Sequence, residues 1–167
     1  MNGPPSPFYD AMPFGKYKGR VLPDLILHEP NYYFWASDEG VLEEVFDTWE
    51  LDRLSQRLTS IKIPPGQDPT VARVADYHYR THGPLREVII RSASEPKSGH
   101  TQIVKTLKHL DIAFSRRRRK TRYHKNAYAP VIAAIYEEYF PGATEQISEA
   151  EAIKFFATRA NFHRGIR

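Results

Sequence analysis

Two glycines four residues apart, Gly15 and Gly19, bracket the segment 16–18, which reads Lys-Tyr-Lys, and Arg20 follows directly. Glycine adopts backbone conformations with positive φ that other residues avoid, so this spacing predicts a tight, sharply folded ribbon. In an extended ribbon, alternation would place the two lysines on one face and Tyr17 on the other. The segment therefore predicts a sharp chain reversal near residue 15 that presents cations.

The ribbon carries a resemblance to a known module. It is followed by Leu22-Pro23-Asp24-Leu25 and by the aromatic run Tyr32 to Trp35. Together with Pro13 to Arg20, these residues resemble the accessory module at the C-terminus of exodeoxyribonuclease-X-like proteins, also found in free-standing proteins described as quorum-sensing-regulated virulence factors. The resemblance covers roughly residues 12–58 and implies a compact α+β unit, a β-hairpin packed on helices, of bacterial or phage origin. It implies association with DNA-processing enzymes but not nuclease activity, because their catalytic carboxylates lie in a separate domain.

Helices are predicted after the ribbon. Pro23 and Pro30 suit the first turns of two short helices, and Gly40 suits the end of the second. One longer amphipathic helix is then predicted, with acids on its polar side and an apolar stripe of Leu42, Val45, Phe46, Trp49, Leu54 and Leu58.

The second half is predicted to be nearly all helical. Pro64-Pro65-Gly66 indicates a boundary, and helices are expected at 69–83, 101–110, 115–125 and 130–140. The segment 85–92 suggests another helix, although its Val-Ile-Ile run would also suit a strand. The pair 101–110 and 115–125 has the size of a helix-turn-helix. Ser148 with Glu151 three residues later is a capping box for a last helix.

The expected fold class is therefore α+β and mostly helical, with a small N-terminal β-hairpin-plus-helices module followed by an all-α basic region. The expected organisation is a disordered tail over 1–10, the module over 11–60, a linker over 61–68 and a helical basic domain over 69–167.

Composition excludes several classes of protein and indicates the cellular location. The absence of cysteine excludes a disulfide framework, cysteine zinc sites and thiol catalysis, and it fits an intracellular protein. Residues 1–10 lack the charged start and apolar centre of a secretory signal, and no apolar run is long enough to span a bilayer. We therefore expect a cytoplasmic protein with no membrane partner.

Charge is segregated along the chain. Seven acids and no Lys or Arg lie between Asp38 and Asp52, whereas twelve cations and three acids lie between Arg86 and Lys125. The basic region could attract a polyanion. Alternatively, the acidic and basic regions could neutralise each other at an internal or subunit interface.

The strongest electrostatic feature is the basic segment 116–125, which contains four consecutive arginines and no apolar side chain before Tyr123. Adjacent like charges repel, and a polyanion relieves that repulsion, so nucleic acid is favoured over an acidic protein surface. In the ribbon, cations could contact phosphates, while Phe14 and Tyr17 are expected to fill the module's core. The candidate nucleic-acid-binding residues are Arg116, Arg117, Arg118, Arg119, Lys120, Arg122, Tyr123, Lys125, Lys16, Lys18 and Arg20.

Catalytic and metal-binding patterns are weak. His78 and His82 have the spacing of metal ligands on a helix, but no third ligand is evident, so a structural role is favoured. No nucleophile–base grouping or nucleotide-binding loop is present, and neither metal nor cofactor is expected. The sequence favours a non-catalytic nucleic-acid-binding accessory protein, with DNA favoured over RNA. One alternative is an adaptor whose acidic helix and basic segment dock on an acidic protein partner or on a second copy. A less favoured alternative is a metal-dependent nuclease.

Overall fold

A computed structural model describes residues 3–80, 83–97, 103–117 and 124–164 of the 167-residue chain. It is an α+β structure, as predicted. In chain order its elements are α1 (Leu22–His28), α2 (Pro30–Asp38), α3 (Val41–Val45), α4 (Thr48–Leu58), β1 (Ile61–Lys62), β2 (Arg73–Tyr79), β3 (Leu85–Ser92), β4 (Ile103–Leu107), β5 (His109–Leu110), α5 (Ala129–Tyr139) and α6 (Glu149–Ala157), with 3-10 helices at Ile112–Arg117 and Arg159–Asn161. Across the described ranges, no helix has the length and apolar character that crossing a membrane requires.

The chain forms two compact units. Unit 1 contains Met1–Leu58 and Thr144–Arg167, and unit 2 contains Thr59–Ala143. The C-terminal helix α6, which we expected in a domain over 69–167, therefore belongs with the N-terminal helices. It packs against α1 and α4, and its Phe155 and Phe156 are buried in unit 1. Strand β1 occupies part of the segment expected to be a linker.

The helices of unit 1 begin where local signals place them. Proline lies in the first turn of both α1 and α2, and Gly40 follows α2 with a φ of 74°. The predicted capping box of α6 is confirmed, because the Ser148 side chain accepts the Glu151 N–H and the Glu151 carboxylate accepts the Ser148 N–H.

The predicted long amphipathic helix is divided into α3 and α4. Phe46 breaks it because its side chain is buried while its backbone is extended, with φ −108° and ψ 161°. Asp47 then restarts the helix by accepting the Glu50 N–H at 2.9 Å. As a result Trp49, expected in the apolar stripe, is 67% exposed, and Leu51, Leu54 and Leu58 form the buried face of α4.

The described residues of the expected disordered tail are packed into unit 1. The Asp47 N–H donates to the Pro5 carbonyl at 3.0 Å, and the Phe8 side chain is buried. A buried aromatic ring supplies apolar contact that a wholly polar tail would lack, which explains why this segment is ordered.

The glycine ribbon is a closed loop. Gly15 and Gly19 have φ of 84° and 88°, which confirms the predicted positive values. The Met12 N–H donates to the Arg20 carbonyl and the Gly19 N–H to the Met12 carbonyl, both at 2.9 Å, and one antiparallel bridge joins Ala11 to Val21. The β-hairpin implied by the resemblance is thus reduced to a single bridge, and strand alternation does not govern this segment.

Unit 2 is not all-α, so that prediction was wrong. An antiparallel sheet of order β3-β2-β4 occupies its centre, and β1 pairs with β5. Residues Val74 to Tyr79 are all buried, which removes the polar alternation that identifies a strand. The predicted helix over 101–110 is instead strands β4 and β5, so no helix-turn-helix forms there. Helix α5 is confirmed.

A buried polar cluster ties the three central strands together. The Asp76 carboxylate, on β2, accepts hydrogen bonds from Arg91 Nε at 2.6 Å and from Thr106 Oγ1 at 2.6 Å, so β3 and β4 are both joined to it. Burial acts to raise the pKa of Asp76, but these hydrogen bonds outweigh it and hold the pKa below its usual value. Its contribution to stability is therefore present at neutral pH and is lost as the pH falls.

Removing this carboxylate should destabilise unit 2. Asp76→Ala leaves the Arg91 guanidinium, whose side chain is 9% exposed, without its charge partner. We expect a loss of about 3–5 kcal/mol in the free energy of unfolding, measured by urea denaturation at pH 7. Glu87→Ala, at an exposed position of β3, is the control and should change it by less than about 0.5 kcal/mol. If the two substitutions lowered the free energy of unfolding equally, the stabilising role of the Asp76 carboxylate would be contradicted.

Candidate nucleic-acid interface

Four aromatic side chains surround the glycine loop. The Tyr17 ring meets the Tyr32 ring edge-on with centroids 4.6 Å apart, and the Tyr32 and Trp35 centroids are 5.7 Å apart. Phe14 adjoins Gly15, where an added Cβ would lie 3.6 Å from the Tyr32 hydroxyl. We call these four residues, together with Lys16, Lys18 and Arg20, the glycine-loop surface.

The rings of this surface remain accessible. Phe14 is 49% exposed and Trp35 is 47% exposed, while Tyr17 is half-buried against Tyr32. The expectation that Phe14 fills the core was therefore wrong; the buried rings of this unit include Tyr33 and Phe34 of α2. Flat rings that face water are available to stack on a planar ligand.

Two cations of the loop, Lys16 and Arg20, lie over the Tyr17 ring. Lys16 Nζ is 5.1 Å and the Arg20 guanidinium carbon 5.3 Å from the ring centroid. Arg20 Nε also donates to Asp24 Oδ2 at 2.6 Å, and the other Asp24 oxygen is 2.7 Å from His28 Nδ1. The buried Asp24 carboxylate therefore orients Arg20 against the ring and offsets part of its charge.

The two lysines of the loop have no carboxylate partner among the described residues. Lys16 and Lys18 are exposed, and neither forms an ion pair with the part of the chain that the structure describes. A phosphate is a suitable partner for such an ammonium group. The predicted role of these lysines in phosphate contact is thus compatible with their geometry.

The basic segment belongs to unit 2, and the structure describes part of it. Arg117 is exposed, lies 5.0 Å from the Phe114 ring centroid and pairs with Asp111 at 3.5 Å; Arg116 is half-buried and Lys125 is exposed. Ser115, the first residue of the helix expected over 115–125, donates its hydroxyl to the Ala127 carbonyl. The remaining candidates lie outside the described residues: Arg118, Arg119, Lys120, Arg122 and Tyr123.

Sequence reasoning missed a row of side chains on α4. Trp49, Arg53 and Arg57 recur at every fourth residue, which places them on one line of the helix. The Arg53 guanidinium carbon is 5.0 Å from the Trp49 ring centroid and 5.6 Å from that of Phe8. Arg57 is 5.0 Å from the Phe8 centroid. The spacing was visible in the sequence, but the packing of Phe8 beneath the arginines was not.

Comparisons with known proteins leave the chain without a family assignment. Family models, curated proteins and solved structures give no match. The likeness of residues 12–58 to the exonuclease-associated module therefore remains a prediction.

Metal-ligating side chains are not grouped in the described ranges. No cluster of three or more His, Asp or Glu side chains occurs there. His78, considered above as a ligand, lies on β2, where it is 2% exposed and its Nε2 has no hydrogen-bond partner. Its predicted companion His82 lies outside the described residues.

Asp111 should make the folding stability of the protein depend on pH. Burial raises the pKa of Asp111 to about 6, although the Arg117 charge acts in the opposite direction. Because the folded state holds this proton more tightly than the unfolded state, stability should fall as the pH rises from about 4 to about 7. Relative to Asp111→Asn, the wild type should lose up to about 3 kcal/mol over that interval. Urea denaturation at each pH measures this difference. If the midpoints of the wild type and of Asp111→Asn changed with pH in parallel, the raised pKa of Asp111 would be contradicted.

Proposed function

We propose that the protein is a non-catalytic nucleic-acid-binding accessory protein of bacterial or phage origin, with DNA favoured over RNA. The observation that carries the proposal is the glycine-loop surface, where exposed rings of Phe14 and Trp35 lie beside Lys16 and Lys18, which have no carboxylate partner in the described structure. Its place of action is proposed to be the cytoplasm.

The two kinds of side chain supply complementary contacts. Ammonium groups bind phosphates and position a nucleic acid without reading its sequence. Exposed aromatic rings stack on bases, and this contact tolerates any sequence because every base has a planar face. The surface is therefore suited to binding without strong sequence preference.

The arrangement of Arg20 supports this role. Asp24 holds the guanidinium by one carboxylate oxygen and His28 by the other, and Arg20 in turn covers the Tyr17 ring. Fixing these groups before binding lowers the entropy cost of ordering them when a ligand arrives. Asp24 is thus proposed to be a positioning residue for the surface.

The basic segment is proposed to add long-range attraction. Its four consecutive arginines and its lysines exceed the three acids present between residues 86 and 125. Releasing the counterions condensed on a nucleic acid makes such binding strongly dependent on salt.

The lysines of the glycine loop provide the first test. Lys16→Ala with Lys18→Ala should weaken binding of a labelled DNA oligonucleotide at low salt. The slope of log affinity against log salt should fall by about 0.7–0.9 for each phosphate that the double variant no longer neutralises. Fluorescence anisotropy measures both quantities, and Lys154→Ala, at an exposed position of α6, is the control. No binding by the wild type at low salt, or an unchanged slope in the double variant, would overturn the proposal.

The basic segment is tested separately. Arg118→Ala with Arg119→Ala should lower affinity and reduce the same salt slope by the equivalent of up to about two neutralised phosphates. The matched control removes two exposed cations elsewhere in unit 2, by Arg86→Ala with Lys105→Ala. If both pairs reduce affinity equally, net charge alone attracts the ligand and the segment forms no specific contact.

A further inference from the structure

Unit 1 contains a second group of cations that the glycine-loop surface does not use. Arg53 and Arg57 lie one turn apart on α4, and Arg159 begins the 3-10 helix that follows α6. We call these three residues the arginine cluster. Arg57 contacts residues on both sides of Arg159 in the chain, since it donates to the Phe156 carbonyl and lies over the Phe162 ring. Burial, and then repulsion from Arg53 and Arg159, lowers the pKa of Arg57.

The repulsion within the cluster is not relieved by acids. None of the three arginines forms an ion pair in the described part of the chain, although Glu50 and Asp52 lie on the same helix. Arg57 is held instead by a hydrogen bond from its Nη1 to the Phe156 carbonyl. Like charges held together in this way create a site for an anion, which removes the repulsion when it binds.

Aromatic rings keep the guanidinium groups in place. Arg53 lies over Trp49 and Phe8, and Arg57 lies over Phe8 and over Phe162, whose ring centroid is 5.5 Å away. A ring attracts a cation without neutralising it. These contacts favour the positions of Arg53 and Arg57 before any ligand is present.

Exposed rings border the cluster. Trp49 is 67% exposed and Tyr9 is 60% exposed, the two largest values among the exposed large apolar side chains of the described structure. Tyr9 lies beside Phe8 with ring centroids 6.3 Å apart, and the Phe8 ring in turn lies under Arg53 and Arg57. The site thus offers guanidinium donors and an adjoining flat apolar surface.

We propose that the arginine cluster with Trp49 and Tyr9 binds a single nucleic-acid strand, with phosphates on the arginines and an unpaired base stacked on Trp49. This inference rests on the proposed nucleic-acid binding and narrows its substrate class. The planar fork of arginine matches phosphate oxygens. In a duplex the base faces are already stacked on one another, so only an unpaired base can cover the ring. An acidic peptide would satisfy the arginines but would leave both rings exposed to water.

The experiment uses the full chain and two exposed positions that are not part of the core. Anisotropy titrations compare a labelled 12-nucleotide single-stranded DNA, its matched duplex, and competition by thymidine monophosphate and by polyglutamate. The variants are Arg159→Ala and Trp49→Ala. Arg164→Ala, an exposed arginine of the same unit outside the cluster, is the control.

Trp49→Ala should weaken single-strand binding by about fivefold or more, the effect of losing one stacked base. Arg159→Ala should weaken it and lower its salt dependence, and Arg164→Ala should not. The duplex should bind more weakly than the single strand, and neither competitor should displace the strand at equal concentration of charged groups.

Each other result overturns the inference. Unchanged affinity in both variants excludes the site, and preference for the duplex excludes stacking. Displacement by thymidine monophosphate makes the cluster a mononucleotide site, and displacement by polyglutamate makes it an acidic-protein site. If Lys16→Ala with Lys18→Ala weakens binding while the cluster variants do not, the proposed function stands and this inference alone fails. If the wild type binds no oligonucleotide, both the proposed function and this inference are contradicted.

Discussion

The contact between cationic side chains and aromatic rings is the interaction on which the surfaces of unit 1 depend. Lys16 and Arg20 lie over Tyr17, while Arg53 and Arg57 lie over Phe8. A ring attracts a cation without neutralising it, so the charge remains available to a ligand. Arg91 of unit 2 shows the opposite arrangement, because it is paired with the buried Asp76 and contributes to the fold.

This difference separates structural cations from candidate binding cations. A carboxylate partner offsets the charge of Arg20 in part and that of Arg91 closely. The lysines of the glycine loop and the arginine cluster have no such partner in the described residues. The number of cations along the chain favours the basic segment as the binding site. The contacts of the described cations favour the surfaces of unit 1 equally.

The sequence predicted those parts of the fold that depend on neighbouring residues. Prolines in first turns, the Ser148–Glu151 capping box and the positive φ of Gly15 and Gly19 act within a few residues, and all are confirmed. The central sheet was missed because β2 is buried on both faces and so lacks alternation. In β4 the spacing of Val104 and Leu107 suits a helix equally well, and only pairing with β2 selects the strand.

The candidate site was predicted to a similar extent. The loop cations were identified because glycine spacing is a local signal, but no local pattern distinguishes Phe14, which is exposed, from Tyr33 and Phe34, which are buried. The arginine cluster could not be anticipated, because it requires Phe8 to pack under α4, more than forty residues later, and α6 to bring Arg159 back to unit 1.

The most direct test of the central claim uses intrinsic fluorescence. The chain has two tryptophans, Trp35 on the glycine-loop surface and Trp49 beside the arginine cluster. Trp49→Phe and Trp35→Phe each leave one reporter, and both proteins are titrated with a single-stranded oligonucleotide at low and high salt. Nucleic-acid binding at both surfaces predicts saturable quenching of both reporters at low salt and recovery of the signal at high salt. Emission that stays unchanged in both proteins would contradict it.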